Sequence, residues 1–209
     1  DFHEPKALNH RLATDPNLFV ELICVAYRKP NEVEQEPRDE PNSGKVQAAW
    51  SVLNEWRGIP GGDGDGSIDP QLLEYWVTEA RKKLRGTGRA DIGDQLIGRS
   101  FVNAPEGRDG VWPEEPIRDL IEVLANPHIE TGMILGQLNR RGVTSRGIYE
   151  GGVQERDLAK LYLANSRSIE IRWPRTSAVL REIGKRYEHD AVREDCLLYT
   201  SPSPRDGLL

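Results

Sequence analysis

The side chains best suited to binding chemistry lie together in one loop of this 209-residue chain, between residues 140 and 155. They are three guanidinium groups and two hydroxyl groups, from Arg140, Arg141, Ser145, Arg146 and Tyr149. An arginine presents a planar fork of donors that matches phosphate and carboxylate groups, and loops on a rigid scaffold often carry binding residues. The loop therefore predicts a site for a phosphate, an acidic peptide or a nucleic-acid backbone.

The same loop has an internal interpretation. Its arginines would pair with Glu150, Glu155, Asp157 or carboxylates from neighbouring helices, and the glycines Gly151 and Gly152 would only turn the chain. This interpretation is favoured, because structural ion pairs imitate binding sites. If the two glycines instead open a helix, their backbone N–H groups can face an anion. Their spacing matches neither the Walker phosphate loop nor the dinucleotide fingerprint.

Other catalytic and metal-binding patterns are missing from the sequence. The four histidines are scattered and show no zinc spacing, and Ser145 lacks the Gly-x-Ser-x-Gly elbow of serine hydrolases. The stretch from Gly61 to Asp69 fits no register of a calcium loop, which needs a glycine at the sixth position and a glutamate at the twelfth. We therefore expect no catalytic residue, no metal and no cofactor in this segment.

Nucleic-acid binding over a broad surface is also unexpected, because the formal net charge is −6. The basic run from Arg81 to Arg85 suits the C-terminal end of a helix. Trp50, Trp56 and Trp76 fall on apolar helical stripes, so they are interpreted as core residues rather than as a platform for stacked bases.

Paired capping residues and prolines mark where helices should begin. A good N-cap precedes a proline at Asp15-Pro16, Asp69-Pro70 and Asn126-Pro127, and a proline at the first helical position costs no hydrogen bond. Trp112-Pro113 and Trp173-Pro174 have the same form, with the tryptophan just outside the helix.

Apolar residues between these starts recur at helical spacing and predict about eight helices. One stripe is Phe19, Leu22, Ile23 and Ala26, and Gly132 with Gly136 would allow two helices to approach closely. No segment alternates as a strand does, so the predicted fold class is all-α. The arrangement expected is an irregular helical array, with antiparallel helix pairs stacked as in a solenoid.

The sequence predicts one helical domain over residues 1–195. Because the chain begins at Asp1, the start resembles a cut through a longer reading frame. Residues 196–206 resemble the translation of a transposase-type sequencing adapter, so residues 196–209 are interpreted as an artefactual or disordered tail. Without that tail, Cys24 is the single cysteine and no disulfide is available.

No membrane contact and a cytoplasmic location are expected. The longest apolar run, from Leu18 to Ala26, is interrupted by Glu21 and is far shorter than the roughly 18 residues that a membrane-spanning helix needs.

The segment from Ile148 to Asp157, together with Trp173-Pro174-Arg175-Thr176, resembles the C-terminal part of large uncharacterised bacterial proteins. The resemblance covers most of Leu18 to Asp195. It implies that the chain is a fragment of a longer protein, and it supplies no activity and no catalytic residue.

The leading hypothesis is a non-catalytic helical scaffold or recognition segment. It would contact a protein partner, or another domain of the same chain, through the loop of residues 140–155. The alternative is an anion-binding or phosphate-binding accessory region of a nucleotide-processing or nucleic-acid-processing enzyme whose catalytic domain lies upstream.

Overall fold

The computed structural model describes residues 6–29, 40–62, 68–142 and 150–200. Within these ranges the chain forms nine α-helices, and its only β-type pairing is an isolated bridge between Gly62 and Ile68. The predicted all-α class is confirmed. Over the same ranges, no helix is both long and apolar enough to span a bilayer.

The helices fall into two units when their contacts are grouped, Asp1–Gly136 and Gln137–Leu209. The boundary lies inside one helix, α7, and each unit is described by itself. The described helices are α1 Lys6–Thr14, α2 Pro16–Ala26, α3 Glu40–Glu55, α4 Pro70–Thr87, α5 Ala90–Ser100, α6 Glu115–Leu124, α7 Pro127–Arg140, α8 Val153–Ile169 and α9 Pro174–Thr200, with a 3-10 turn at Phe101–Asn103.

Two of these bounds add to the sequence analysis. Helix α1 precedes the first apolar stripe and was not predicted. Helix α9 continues beyond Asp195 to Thr200, into the segment interpreted as a tail. Residues 201–209 lie outside the described ranges.

The predicted N-caps are formed as expected. The carboxylate of Asp69 accepts hydrogen bonds from the backbone N–H groups of Gln71, at 2.8 Å, and Leu72, at 3.1 Å. Asp15 caps α2 in the same way, and the Asn126 side chain accepts from two N–H groups at the start of α7. Since a helix leaves its first N–H groups without intrahelical partners, these side chains decide where each helix begins.

One predicted helix start is wrong. Helix α6 begins at Glu115 instead of at Trp112-Pro113. The backbone carbonyls of Val111 and Pro113 accept hydrogen bonds from the buried guanidinium of Arg118, so this Trp-Pro pair belongs to a loop wrapped around that side chain. A proline that follows a tryptophan is compatible with a turn as well as with a first helical turn.

The core of the first unit contains a cluster of aromatic rings where α2 packs against α3 and α4. The ring centroids of Phe19 and Trp76 lie 4.9 Å apart, and those of Phe19 and Trp56 lie 5.8 Å apart. The indole N–H of Trp76 donates to the carbonyl of Leu12 at 3.0 Å. Trp56 and Trp76 are therefore core residues, as predicted. Trp50 is 45% exposed, so its assignment to the core is wrong.

Glycines allow α5 and α7 to cross at short range. A Cβ at Gly98 would collide with the carbonyl oxygen of Ile129, and a Cβ at Gly132 would collide with that of Gln95. The predicted close approach at Gly132 is confirmed. Both obstacles are backbone atoms, which cannot rotate away as a side chain can.

Helices α8 and α9 form an antiparallel pair in the second unit. The rings of Tyr162 and Tyr187 stack between them with centroids 5.8 Å apart. Farther along, the hydroxyl of Ser166 donates to the carbonyl of Ser177 at 2.9 Å, and both serines are buried. One pair does not test whether such pairs stack as in a solenoid, and that arrangement stays a prediction.

Candidate functional site

Two of the five predicted site residues can be located. Arg140 is the last residue of α7 and is exposed, and Arg141 follows it, half-buried, at the start of the loop. The other three, Ser145, Arg146 and Tyr149, lie outside the described residues. The structure therefore describes only the N-terminal end of the predicted binding loop.

Arg141 serves as the counter-ion of a buried carboxylate. Its Nη1 lies 2.5 Å from Oε1 of Glu155, and its Nη2 donates to the side-chain carbonyl of Gln154 at 3.3 Å. The side chain of Glu155 is 0% exposed, and that of Arg141 is 18% exposed. A buried charge needs a partner, so for this arginine the internal interpretation holds.

The glycines at the start of α8 are held by the end of α9. Gly151 has a φ of +50°, and a Cβ at Gly152 would collide with the carbonyl of Ala191. The N–H of Gly152 donates to Oδ1 of Asp195 at 2.9 Å. The sequence is compatible with an anion at this N–H; in the structure, a carboxylate of the chain itself accepts its hydrogen bond.

Arg156 completes this contact, with its Nη1 2.5 Å from Oδ2 of Asp195. The hydrogen bond from Arg156, followed by the one from the Gly152 N–H, lowers the pKa of Asp195 below its ordinary value. Because Gly152 and Asp195 are 43 residues apart, no local pattern in the sequence could identify the pairing.

A cleft of about 690 Å³ opens beside Arg141 in the second unit, with α9 forming most of its wall. We refer to it as the α9 cleft. Its volume is in the range of small-molecule sites, roughly 300–1,000 Å³. The lining residues are Leu138, Arg141, Gly142, Glu155, Glu182, Lys185, Arg186, Tyr187, His189, Asp190, Arg193 and Glu194.

Most charged side chains that line the α9 cleft form ion pairs with one another. Besides Arg141 and Glu155, Arg186 lies 3.1 Å from Glu182, and Arg193 lies 3.4 Å from Asp190 and 3.8 Å from Glu194. Lys185 and His189 form no ion pair with any described residue. Arg193 is thus shared by two carboxylates, and with Lys185 the cleft has four cationic and four acidic side chains, so its formal charges balance.

Tyr187 also lines the α9 cleft. Its side chain is 4% exposed, its ring stacks on Tyr162, and the guanidinium carbon of Arg141 lies 5.7 Å from its ring centroid. The hydroxyl makes no hydrogen bond within the described part of the chain. Burial, followed by the neighbouring Tyr162, raises the pKa of Tyr187 to about 12. The phenol is therefore a hydrogen-bond donor at neutral pH.

Sequence reasoning assigned no role to Lys185, Tyr187 or His189. Val179, Leu180, Ile183 and Tyr187 formed one apolar stripe, which correctly predicts that the Tyr187 ring is buried. The stripe contains no signal that Tyr187 lines a cleft, since the cleft forms only where α9 passes Arg141.

The basic run at the end of α4 is largely engaged within the first unit. Arg81 Nε donates to Asp94 Oδ1 at 2.8 Å, and the ammonium of Lys83 donates to the side chain of Asn17. Lys82 lies 3.7 Å from Glu79. These contacts favour the structural interpretation of the run over phosphate binding.

No group of three or more metal-ligating side chains that could hold an ion occurs among the residues the structure describes. No protein-family model, curated protein or solved structure matches this chain.

Proposed function

We propose that this chain is a non-catalytic helical recognition segment of a larger bacterial protein, and that the α9 cleft and the neighbouring Arg140 are its contact site. The partner is a segment of another protein, or another domain of the same chain, that carries acidic groups. A cytoplasmic location is part of the proposal, and the free thiol of Cys24 suits a reducing compartment.

One observation carries the proposal: a cleft of ligand-binding size lies beside the described edge of the arginine–glycine loop, and the exposed ammonium of Lys185 at that cleft forms no ion pair with any described residue. A concave site of this size favours contact with something outside the chain. Arg141 balances the buried Glu155, whereas Arg140, one residue earlier, is exposed.

The test is a titration of the full chain with two short peptides of equal length, hexaglutamate and hexalysine, followed by amide NMR. Hexaglutamate should shift the amide signals of the α9 cleft, and hexalysine should not. The charge reversals Arg140→Glu and Lys185→Glu should each weaken the response, because they replace attraction by repulsion. Lys160→Glu on α8, whose side chain does not line the cleft, is the matched control.

Contradictory outcomes are well defined. Equal responses to both peptides would mean that the cleft does not select charge. Amide signal shifts that are unchanged in Arg140→Glu and Lys185→Glu would show that the peptide binds elsewhere on the protein. Either outcome removes the proposal.

A further inference from the structure

The turn between α8 and α9 presents one apolar side chain completely to solvent. Helix α8 ends at Ile169 and α9 begins at Pro174, and Ile171 between them is 100% exposed. Single exposed apolar residues are common on protein surfaces, so exposure alone does not define a site. Two further observations distinguish Ile171: hydrogen bonds order the turn, and cations flank it. We refer to residues 167–173 as the hairpin tip.

Backbone hydrogen bonds fix the conformation of the turn. The N–H groups of Arg172 and Trp173 both donate to the carbonyl of Ile169, at 3.2 and 2.8 Å. Trp173 is buried, and the guanidinium carbon of Arg172 lies 4.2 Å from its ring centroid. Because Ile171 is completely exposed, it adds nothing to this packing. A partner would therefore meet a preordered side chain, at a small cost in conformational entropy.

The charged groups of the hairpin tip leave a surplus of positive charge. Glu170 is its one acidic residue, and it lies 2.7 Å from Arg181 of α9. Arg167 and Arg172 form no ion pair with any residue that the structure describes. Arg167 precedes Ile171 by four residues, and Glu170 between them keeps helical angles, φ −55° and ψ −37°. Arg167 and Ile171 therefore lie on one side of the turn.

We propose that the hairpin tip is a second contact surface, which places Ile171 in an apolar recess of a partner protein while Arg167 and Arg172 meet carboxylates on the rim of that recess. Charge complementarity defines the partner as acidic, since the only acid of the tip is already paired. Arginine is enriched among the residues that dominate protein interfaces, and burying an isoleucine is favourable wherever a partner excludes water.

This surface goes beyond the proposed function, because no residue of the hairpin tip lines the α9 cleft. A membrane surface is a poorer match than a protein. Even one whole acyl chain anchors a protein only marginally, and a single isoleucine buries far less apolar area.

The test uses the full chain at low salt, amide NMR and three decapeptides. In the first peptide, pairs of glutamates alternate with pairs of leucines; the second replaces glutamate by lysine, and the third replaces leucine by serine. The glutamate–leucine peptide should give saturable shifts of the amide signals of the hairpin tip, and the lysine–leucine peptide should not. The glutamate–serine peptide should bind about tenfold more weakly, since it offers no apolar group to cover Ile171.

Substitutions within the hairpin tip separate a contact from a structural role. Ile171→Ser should weaken peptide binding about tenfold and leave the midpoint of urea unfolding unchanged, because the side chain is completely exposed. Arg167→Gln and Arg172→Gln should each weaken binding about two- to fivefold, an effect that declines with rising salt. Val192→Ser on α9, at a side chain that is also exposed, and Lys160→Gln on α8 are the matched controls and should bind as the original chain does.

The inference is overturned if the lysine–leucine peptide binds as tightly as the glutamate–leucine peptide, or if binding is unchanged in Ile171→Ser. Vesicles of phosphatidylserine and phosphatidylcholine that bind through Ile171, without binding of the glutamate–leucine peptide, would assign the tip to a membrane surface instead. Shifts at the tip that grow with protein concentration in the absence of peptide would assign it to a second copy of the chain. The amide signals of the hairpin tip are distinct from those of the α9 cleft, so this inference and the proposed function are tested independently.

Discussion

Nη1 of Arg141 lies 2.5 Å from Oε1 of Glu155, and the carboxylate is completely buried. The two residues flank the loop that the sequence identifies as a binding site. This pair gives the loop a structural function whatever it binds, because it fixes the first residue after α7 against the first turn of α8. Arg140, one residue earlier, is exposed, so adjacent arginines should respond differently to substitution.

Arg141→Ala should destabilise the second unit by about 3–5 kcal/mol, because it removes an ion pair from a completely buried carboxylate. Urea unfolding followed by circular dichroism measures the change. The control is Arg186→Ala, which removes an exposed arginine paired with Glu182 along one helix; it should cost no more than about 0.5 kcal/mol. Equal effects of the two substitutions would mean that the pair of Arg141 and Glu155 is not the source of stability.

The double substitution Arg141→Ala with Glu155→Gln should recover part of the loss, since it removes the buried charge together with its partner. An additive result would show that the two side chains do not interact in solution.

Gly132→Ala should destabilise the first unit by about 1–3 kcal/mol, because the new methyl group meets the carbonyl oxygen of Gln95 and the helices must separate. Gly86→Ala is the matched control. Gly86 lies in α4, and a Cβ there meets nothing within 4 Å, so alanine should stabilise the helix by about 0.5–1 kcal/mol. Thermal unfolding of both variants shows whether each substitution raises or lowers stability. A Gly132→Ala variant that is more stable than the original chain would contradict the close crossing of α5 and α7.

Asp109 should make the first unit sensitive to acid. Hydrogen bonds from the buried guanidinium of Arg118 lower the pKa of Asp109 from 3.8 to about 2. A carboxylate whose pKa is lowered by folding contributes stability that is complete above the unfolded value and is lost as the pH falls through the folded value. The contribution of Asp109 should therefore decline between pH 3.8 and about 2.

Asp109→Asn tests this prediction. The variant should be less stable than the original chain at neutral pH, and the difference should shrink as the pH falls through that window. Because the carboxylate is 39% exposed, solvent screening keeps the effect well below the value that the pKa shift alone implies. Asp157→Asn, which alters an exposed carboxylate on α8, is the control. A difference that stays constant from neutral to acidic pH would refute the prediction.

Asp195→Ala should loosen the start of α8. It removes the acceptor of the Gly152 N–H and the partner of Arg156, and losing such a cap costs about 0.5–2 kcal/mol. Amide hydrogen exchange at Gly152 should therefore accelerate about two- to thirtyfold, while exchange at Ser166, in the last turn of α8, stays unchanged. Unaltered exchange at Gly152 would show that Asp195 does not hold the helix start.

Features that depend on neighbouring residues could be predicted from the sequence. The starts of α2, α4, α7 and α9 were predicted because an N-cap or a proline acts within one helical turn. The apolar spacing also correctly placed Trp56 and Trp76 in the core. It failed at Trp50, because Ala49 and Leu53 already face the core and each successive helical residue turns by about 100°.

Features that depend on distant residues could not be predicted. Trp112-Pro113 has the form of a helix start. In the structure it lies in a loop whose carbonyl groups accept hydrogen bonds from the Arg118 guanidinium. The arginine–glycine loop was recognised as chemically unusual, yet the sequence could not decide which of its groups the protein uses internally. That depended on the burial of Glu155 and on the position of Asp195 in space.

The sequence by itself determined the all-α class, most helix starts and the burial of most apolar side chains, because these follow from hydrogen bonds and hydrophobic spacing within a few residues. Only the tertiary structure decided that Arg141 balances Glu155, that Asp195 accepts a hydrogen bond from the start of α8, and that Tyr187 stacks on Tyr162 beside the α9 cleft. The physical reason is that electrostatic matching depends on distance in space and on burial, and neither is encoded in the separation of two residues along the chain.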